Sequence, residues 1–230
     1  MAKKYEIVNP SDREQVLLVE LNHRVKNSLQ TVASVLRLQE QTVDQVCKLP
    51  LREAALRVSA IARVHGSLYR AAEVAITSTY LHDIMVDLQE ILEMKLEEDI
   101  TPVQLSVDMA VPLALFMTEA VTNAVKHNKR PETPRIKVSF GPVGDDRWCL
   151  SVADSGQGFP AEFKTRFLDA TEKSFGMRLM KAFATQLEGD VTFFSRGGGI
   201  VRIEGPIKIK QVPNPVSTRK RVATPGVRRR

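Results

Sequence analysis

The apolar positions of the first third of the chain repeat at helical spacing. Leu18, Leu21, Val25, Leu29, Val32 and Leu36 follow a 3-4-4-3-4 rhythm. At about 100° per residue they fall in a stripe about 80° wide. No Gly or Pro occurs between Ser11 and Lys48, so the pattern predicts one long amphipathic helix. Ser11 or Asp12 reads as its N-cap, and Glu14, three residues after Ser11, completes a capping-box pattern. Pro50 is expected to break the helix. A second helical pattern follows in Leu51, Ala54, Val58, Ile61, Ala62, Leu68 and Tyr69. Two such helices and a short loop make an αα-hairpin. A hairpin alone buries little, so a homodimer closed as a four-helix bundle is the economical arrangement.

From about Thr77 the pattern becomes mixed. A helix is expected over 79–96, capped by Ser78 or Thr79. Val103–Met109 alternates as a strand. Pro112 reads as the start of a helix over Leu113–Asn128. Ile136–Phe140 and Trp148–Val152 alternate as strands around a turn at Gly141–Asp146. Phe175–Leu187 reads as a helix stopped by Gly189, and Val191–Ser195 with Ile200–Glu204 as a hairpin around Gly197-Gly198-Gly199. Helices and mainly antiparallel strands in this order predict an α+β two-layer sandwich. The expected divisions are a hairpin at 1–75, a sandwich at 76–207 and a tail at 208–230.

Composition changes this picture little and charge changes it at one end. With 230 residues, 43% hydrophobic and 26% charged, the chain has the material for a core. Two distant cysteines, Cys47 and Cys149, exclude a disulfide scaffold and a zinc finger. No apolar run approaches the ~18 residues of a membrane span, and no apolar h-region follows the start; a cytoplasmic protein is expected. The net charge of +6 comes from the end of the sequence: residues 208–230 hold eight of the 33 basic residues and no acidic one. Without them, 25 basic residues face 27 acidic ones, and the body is near neutral. The tail, with Pro213, Pro215, Pro225 and Gly226, reads as disordered. It serves either as a solubilising end or as an electrostatic contact for nucleic acid or another anionic surface.

Four segments carry candidate chemistry, and each has a plain structural alternative. His23 lies about 160° from the centre of the apolar stripe, with Glu20, Asn27 and Gln30 on its own face. It is either a solvated surface histidine or an imidazole whose ring a carboxylate orients for nucleophilic attack. Asp154-Ser155-Gly156-Gln157-Gly158 leaves a strand and enters a turn. The carboxylate can accept from an exocyclic amine while the glycines admit a ligand to the backbone; an ordinary tight turn looks the same. Glu119, Asn123, Lys126 and His127 share one helix face at i, i+4, i+7 and i+8. A carboxylate and an amide oxygen suit Mg²⁺ and a lysine suits phosphate, whereas a solvated face needs neither. Ser174-Phe175-Gly176-Met177-Arg178-Leu179 opens a helix whose free N–H groups and Gly176 suit an anion, or it is a simple capped N-terminus.

Taken together, in this order, these segments resemble the bacterial sensor histidine kinases, whose ATP-binding fold is shared with gyrase, Hsp90 and MutL (the GHKL type). The likeness spans about residues 12–205. Glu20-Leu21-Asn22-His23-Arg24-Val25-Lys26-Asn27-Ser28-Leu29-Gln30 is similar to the phosphoacceptor box of the HisKA_2 subgroup, close to the HWE kinases. Arg57 to Tyr69 is similar to that subgroup's second helix. Glu119–His127, Asp154–Gly158 and Ser174–Leu179 resemble its N, G1 and G2 boxes. The resemblance implies that His23 takes the γ-phosphate of ATP and passes it to an aspartate on a response regulator receiver domain. It implies Glu20 as the orienting base and Asn27 as an aid to dephosphorylation. Asn123 is then the Mg²⁺ ligand, with Glu119, Lys126 and His127 beside the phosphates. Asp154 reads the adenine amine in a loop shaped by Gly156 and Gly158, and Gly176 approaches the phosphates under a lid over roughly 160–173. Two departures stand out: Arg24 follows the histidine where an acid is common, and Ser174 replaces a glycine. With only about eleven residues ahead of the first helix, three alternatives stand: control by a separate sensory protein, constitutive activity, or a chain that is a fragment of a longer protein. The rival readings are a histidine phosphotransfer protein with little or no ATP use, an ATPase or serine kinase of the same fold, and a nucleic-acid module using the tail.

Overall fold

The computed structural model describes residues 10–68, 74–127, 135–160, 163 and 174–207. The expected lid (apart from Pro160 and Phe163) and the basic tail lie outside the described residues.

The hairpin forms from α1 (Pro10–Thr42) and α2 (Gln45–Leu68). α1 starts at Pro10, so Ser11 and Asp12 lie inside its first turn instead of capping it. Proline fits such a first position, because its missing N–H has no helical partner there. The break between the helices falls at Val43-Asp44, ahead of Pro50. Asp44 is a favoured cap type, and its carbonyl accepts from the Cys47 N–H at 2.9 Å. Pro50 stands inside α2, as Pro112 stands inside α4 (Val107–His127). Each is the sixth residue of its helix, so the lost bond falls close to a helix start. Neither marks the boundary expected from it. α1 packs along α2 with Ala33 buried and the Arg37 Nη2 donating to Ser59 Oγ at 3.0 Å.

The second half is the expected α+β sandwich. A five-stranded sheet runs in the order β2-β4-β5-β7-β6: β2 (Leu96–Ile100), β4 (Ile136–Val143), β5 (Arg147–Asp154), β7 (Gly199–Pro206) and β6 (Asp190–Ser195). All pairings are antiparallel except β2 with β4. β2 and the short strand β1 (Val74–Ile76) were not foreseen. β1 pairs with β3 (Gln104–Ser106) in a separate two-stranded sheet. β3 is the core of the strand read at Val103–Met109, whose last residues begin α4 instead. α3 (Thr77–Leu92) starts and ends before the expected 79–96.

Alternation places one sheet face in the core. Ile136, Val138 and Phe140 of β4, Trp148, Leu150 and Val152 of β5, and Val201 and Ile203 of β7 are buried. They share one cluster with Leu113, Phe116, Met117 and Ala120 of α4 and with Met177, Met180 and Ala184 of α5 (Phe175–Gln186). α5 ends through Glu188 in a left-handed conformation (φ 49°), one residue before the expected stop at Gly189. The cluster also takes in Leu56, Ala60 and Val64 of α2 and Tyr80, Leu81 and Ile84 of α3. The hairpin is therefore packed into the sandwich core. Among the described residues, no helix is long and apolar enough to cross a membrane.

Candidate functional site

A cavity of about 620 Å³ opens between α4, the start of α5, the end of β5 and the β6–β7 hairpin. Asn123, Lys126, His127, Asp154, Gly158 and Ser174 line it, together with apolar groups from the core. The fold thus brings the three candidate segments of the second half to one place.

Asp154 is the last residue of β5. Its Oδ1 accepts the Gly156 N–H at 2.6 Å and the Gly199 N–H at 3.2 Å. Two backbone donors on one oxygen fix the carboxylate and leave Oδ2 as the acceptor for a ligand amine. Gly156 thereby holds the Asp154 side chain. Gly158 has φ 78°, and a Cβ there would stand 2.9 Å from Ser195 Oγ. Only glycine takes that backbone cheaply, and the turn lets Ser195 Oγ accept the Phe159 N–H at 3.0 Å.

Asn123 sits on the cavity side of α4, half-buried. Its Nδ2 donates to Met180 Sδ at 3.4 Å, which leaves Oδ1 as the acceptor available to a cation. Gly176, in the first turn of α5, touches this face: a Cβ there would lie 2.8 Å from Glu119 Oε2 and 3.7 Å from Asn123 Oδ1. Glycine at 176 is what lets the helix N-terminus approach α4. Ser174 is the N-cap residue and makes no side-chain cap bond, so the first N–H groups of α5 keep their affinity for an anion.

Among the described residues, no group of three or more His, Cys, Asp or Glu side chains is arranged to hold a metal. The donors near the start of α5 are Asn123 Oδ1, on the cavity, and the Glu119 carboxylate behind it, which Arg57 also holds. That set fits Mg²⁺, which takes few protein oxygens and completes its shell with phosphate and water.

Glu119 and Lys126 are engaged elsewhere. Glu119 is buried and accepts from Arg57 of α2, and Lys126 pairs with Glu53 of α2 at 3.1 Å. His23 is exposed on α1, away from these groups. Glu20 accepts from Arg24 Nη2 at 2.6 Å and Nε at 3.2 Å, one turn on, so here its carboxylate is paired with the arginine that follows the histidine. Asn27 is exposed on the same helix, and its carbonyl accepts from Thr31 Oγ1.

Sequence reasoning missed two parts of the site. Gly198 and Gly199 were read only as a hairpin turn, yet a Cβ at Gly198 would collide with the Asp154 carbonyl at 1.7 Å, and one at Gly199 would lie 2.6 Å from Asp154 Oδ2. Only Gly197 of the three has a positive φ, 69°; the surplus of glycines over what the turn needs was the available signal. Phe159, Phe163 and Phe193 stack on one another, with centroids 4.6–5.4 Å apart, against the same cavity. Phe159 and Phe163 lie four residues apart and Phe193 thirty residues further on, so no single stretch of sequence pointed to the group.

Comparison with known proteins agrees with this layout. Residues 20–92 match the HisKA_2 family model, described as histidine kinase. Residues 109–210 match the model for the histidine kinase-, DNA gyrase B- and HSP90-like ATPases. The chain is 30% identical over 198 residues to the sensor histidine kinase PdtaS of Mycolicibacterium smegmatis, covering 82% of this chain and 39% of that protein. It is 30% identical over 190 residues to the protein of the same name from Mycobacterium tuberculosis, covering 75% and 35%. The chain thus spans less than two fifths of the length of these relatives. In fold it is similar to the histidine kinase domain of the Erythrobacter litoralis EL346 blue-light activated histidine kinase (TM-score 0.60, 21% identity, 84% of this chain and 92% of that one). The His23 helix and the cavity behind Asn123 and Asp154 thus lie in two modules matched together, and the chain belongs to the histidine kinases of the HisKA_2 type.

Proposed function

We propose that the chain is an ATP-dependent protein-histidine kinase of a two-component system. The observation that carries this is the convergence of Asn123, Asp154 and the start of α5 at Ser174 and Phe175 on one cavity in a chain that also presents an exposed histidine, His23, on a helical hairpin. Asp154 Oδ2 receives the adenine amine, and Phe159 and Phe193 offer apolar surface to the base. The phosphates run toward Asn123, Lys126, His127 and the α5 N-terminus, with Glu119 beside them. Mg²⁺, held through Asn123, supplies charge neutralisation. A ring nitrogen of His23 attacks the γ-phosphorus, the bond to the ADP oxygen breaks, and the proton on the other ring nitrogen passes to the Glu20 carboxylate. Little else is asked of the protein, because phosphoryl transfer depends mainly on positioning and charge. Glu20 orients the ring once it leaves Arg24, and Asn27 serves the reverse, dephosphorylating direction.

The partners in this reading are a second copy of the chain and a response regulator receiver domain as acceptor. The working divisions are 1–75, 76–207 and 208–230, and the compartment is the cytoplasm. The phosphotransfer-only alternative has no observation in its favour, because the nucleotide cavity is intact. Incubation with γ-labelled ATP and Mg²⁺ tests the proposal: label should be acid-labile and base-stable, and absent from His23→Gln. Label that persists in that variant sinks the assignment of His23.

A further inference from the structure

Glu119 and Lys126, two of the four α4 side chains assigned above to nucleotide, are both ion-paired to the hairpin. Arg57 donates to Glu119 through Nε and Nη2, the latter at 3.1 Å from Oε2. Glu53, one turn earlier on α2, faces Arg57 Nη2 at 3.4 Å and Lys126 Nζ at 3.1 Å. The four side chains form a run of alternating charge, Glu119–Arg57–Glu53–Lys126. Arg57 also lies over the Phe175 ring, with Cζ 5.3 Å from its centroid, and Phe175 lines the cavity. Arg57 and Glu119 are only 15% and 3% exposed. Burial disfavours the Arg57 charge, but the hydrogen bonds and charges of Glu119 and Glu53 outweigh it and raise its pKa above the ordinary value.

The register of the hairpin shows where this contact sits relative to His23. Lys26 lies against Gly66, Arg37 bonds Ser59, and Arg52 bonds Glu40. By this register Arg57 lies level with about Val35 of α1, on the turn side of His23. His23 is about a dozen residues away, or ~20 Å along the helix. A partner related by a two-fold axis along the bundle carries its own His23 at the same height. With the cavity docked at Glu53 and Arg57, neither histidine is near the phosphate end.

We propose that hairpin docking and nucleotide binding compete for Glu119 and Lys126, and that Glu53 and Arg57 are positioning residues forming an ionic latch that nucleotide opens. The proposal rests on the kinase reading for the identity of the ligand. Linkage makes the effect reciprocal: the factor by which the latch weakens nucleotide binding is the factor by which nucleotide weakens the latch.

The test uses the full chain, with a non-hydrolysable ATP analogue and Mg²⁺ titrated calorimetrically into wild type, Glu53→Gln and Arg57→Gln. Glu53 lines no part of the cavity, and its substitution frees Lys126 and leaves Arg57 paired with Glu119 alone, so the latch loses half of its contacts. Glu53→Gln should bind the analogue about fivefold more tightly or better, with Arg57→Gln changed in the same direction. In parallel, spin labels on Cys47 and on Asp145→Cys, in a Cys149→Ser background diluted with unlabelled chain, report the hairpin-to-sandwich distance. The analogue should broaden or shift that distribution in wild type, and Glu53→Gln should show the change before any analogue is added. Unchanged or weaker affinity in Glu53→Gln, or a distance distribution indifferent to the analogue, overturns the latch. Weaker binding in Arg57→Gln alone would make Arg57 a nucleotide contact and also overturns it. If Arg57→Gln fails to fold, Glu53→Gln alone decides. None of these readouts needs phosphoryl transfer. A wild type that shows them without labelling His23 loses the kinase reading and keeps the latch; a wild type that binds no analogue loses both.

Discussion

Asp154 shows how one side chain is tuned by the backbone around it. Its Oδ1 is committed to the Gly156 and Gly199 N–H groups, so whatever Oδ2 binds meets a fixed acceptor. Asp154→Asn keeps the shape but can turn a donor toward an incoming amine. The loss of one charge-assisted bond should weaken ATP-analogue binding by ~1.5–3 kcal/mol, or roughly 10- to 150-fold. Titration calorimetry checks this, with unchanged far-UV circular dichroism as the control for folding. Gly198→Ala probes the same carboxylate from behind. Its methyl group would occupy the space of the Asp154 carbonyl, so strand β5 and the hairpin must separate. We expect a melting temperature several degrees lower and nucleotide binding lost with it. At this scale the sequence was legible where a residue type has few uses. Asp154, Gly158 and Asn123 stood out by type and order, whereas Gly198 and Gly199 did not, because their role depends on a strand 45 residues away in the chain.

Among the elements, legibility followed burial. β4, β5 and β7 were readable because one face of each is buried and the other is not, which imposes a period of two. β2, Leu96-Glu-Glu-Asp-Ile, has three consecutive exposed residues and so carries no alternation. β1 is three residues long, too short to show a period. The helix starts were misjudged at Pro50 and Pro112 because proline was taken as a boundary, although near a helix start it removes only one bond. α2 was read as half of a hairpin, and nothing in its own spacing indicated that it also packs on α3 and α4. That second contact makes a prediction. Leu56 is 2% exposed within the common core, so Leu56→Ala should cost about 2–5 kcal/mol. Chemical denaturation should show that loss in the transition of the sandwich as well as of the hairpin. A variant that loosens α1 and α2 while leaving the near-UV signal of Trp148 untouched would separate the two halves.

For the whole molecule, the open question is what covers α1. Its apolar stripe was expected to need more cover than one helix gives. In the single chain Leu21 remains 57% exposed, Val25 41% and Val32 48%. Leu29 and Leu36, at the edge toward α2, are half-buried. A row of apolar side chains this long, rimmed by charged residues, marks an association surface. A two-fold axis is the simplest way to cover it, because each chain then offers the same face to the other. A second hairpin would complete a four-helix bundle, and Val46 and Leu49 near the turn are exposed as well. Val32 lies between His23 and that turn, well inside the face. Val32→Asp would bury a carboxylate with no partner from its own helix and should cost several kcal/mol of dimer stability. Analytical ultracentrifugation at micromolar concentration should therefore find wild type as a dimer and the variant as a monomer. Nucleotide binding should survive in the variant, since the cavity lies wholly within one chain. A wild type that sediments as a monomer would leave the stripe of α1 to some other partner and would return the four-helix bundle to the status of an unfilled expectation.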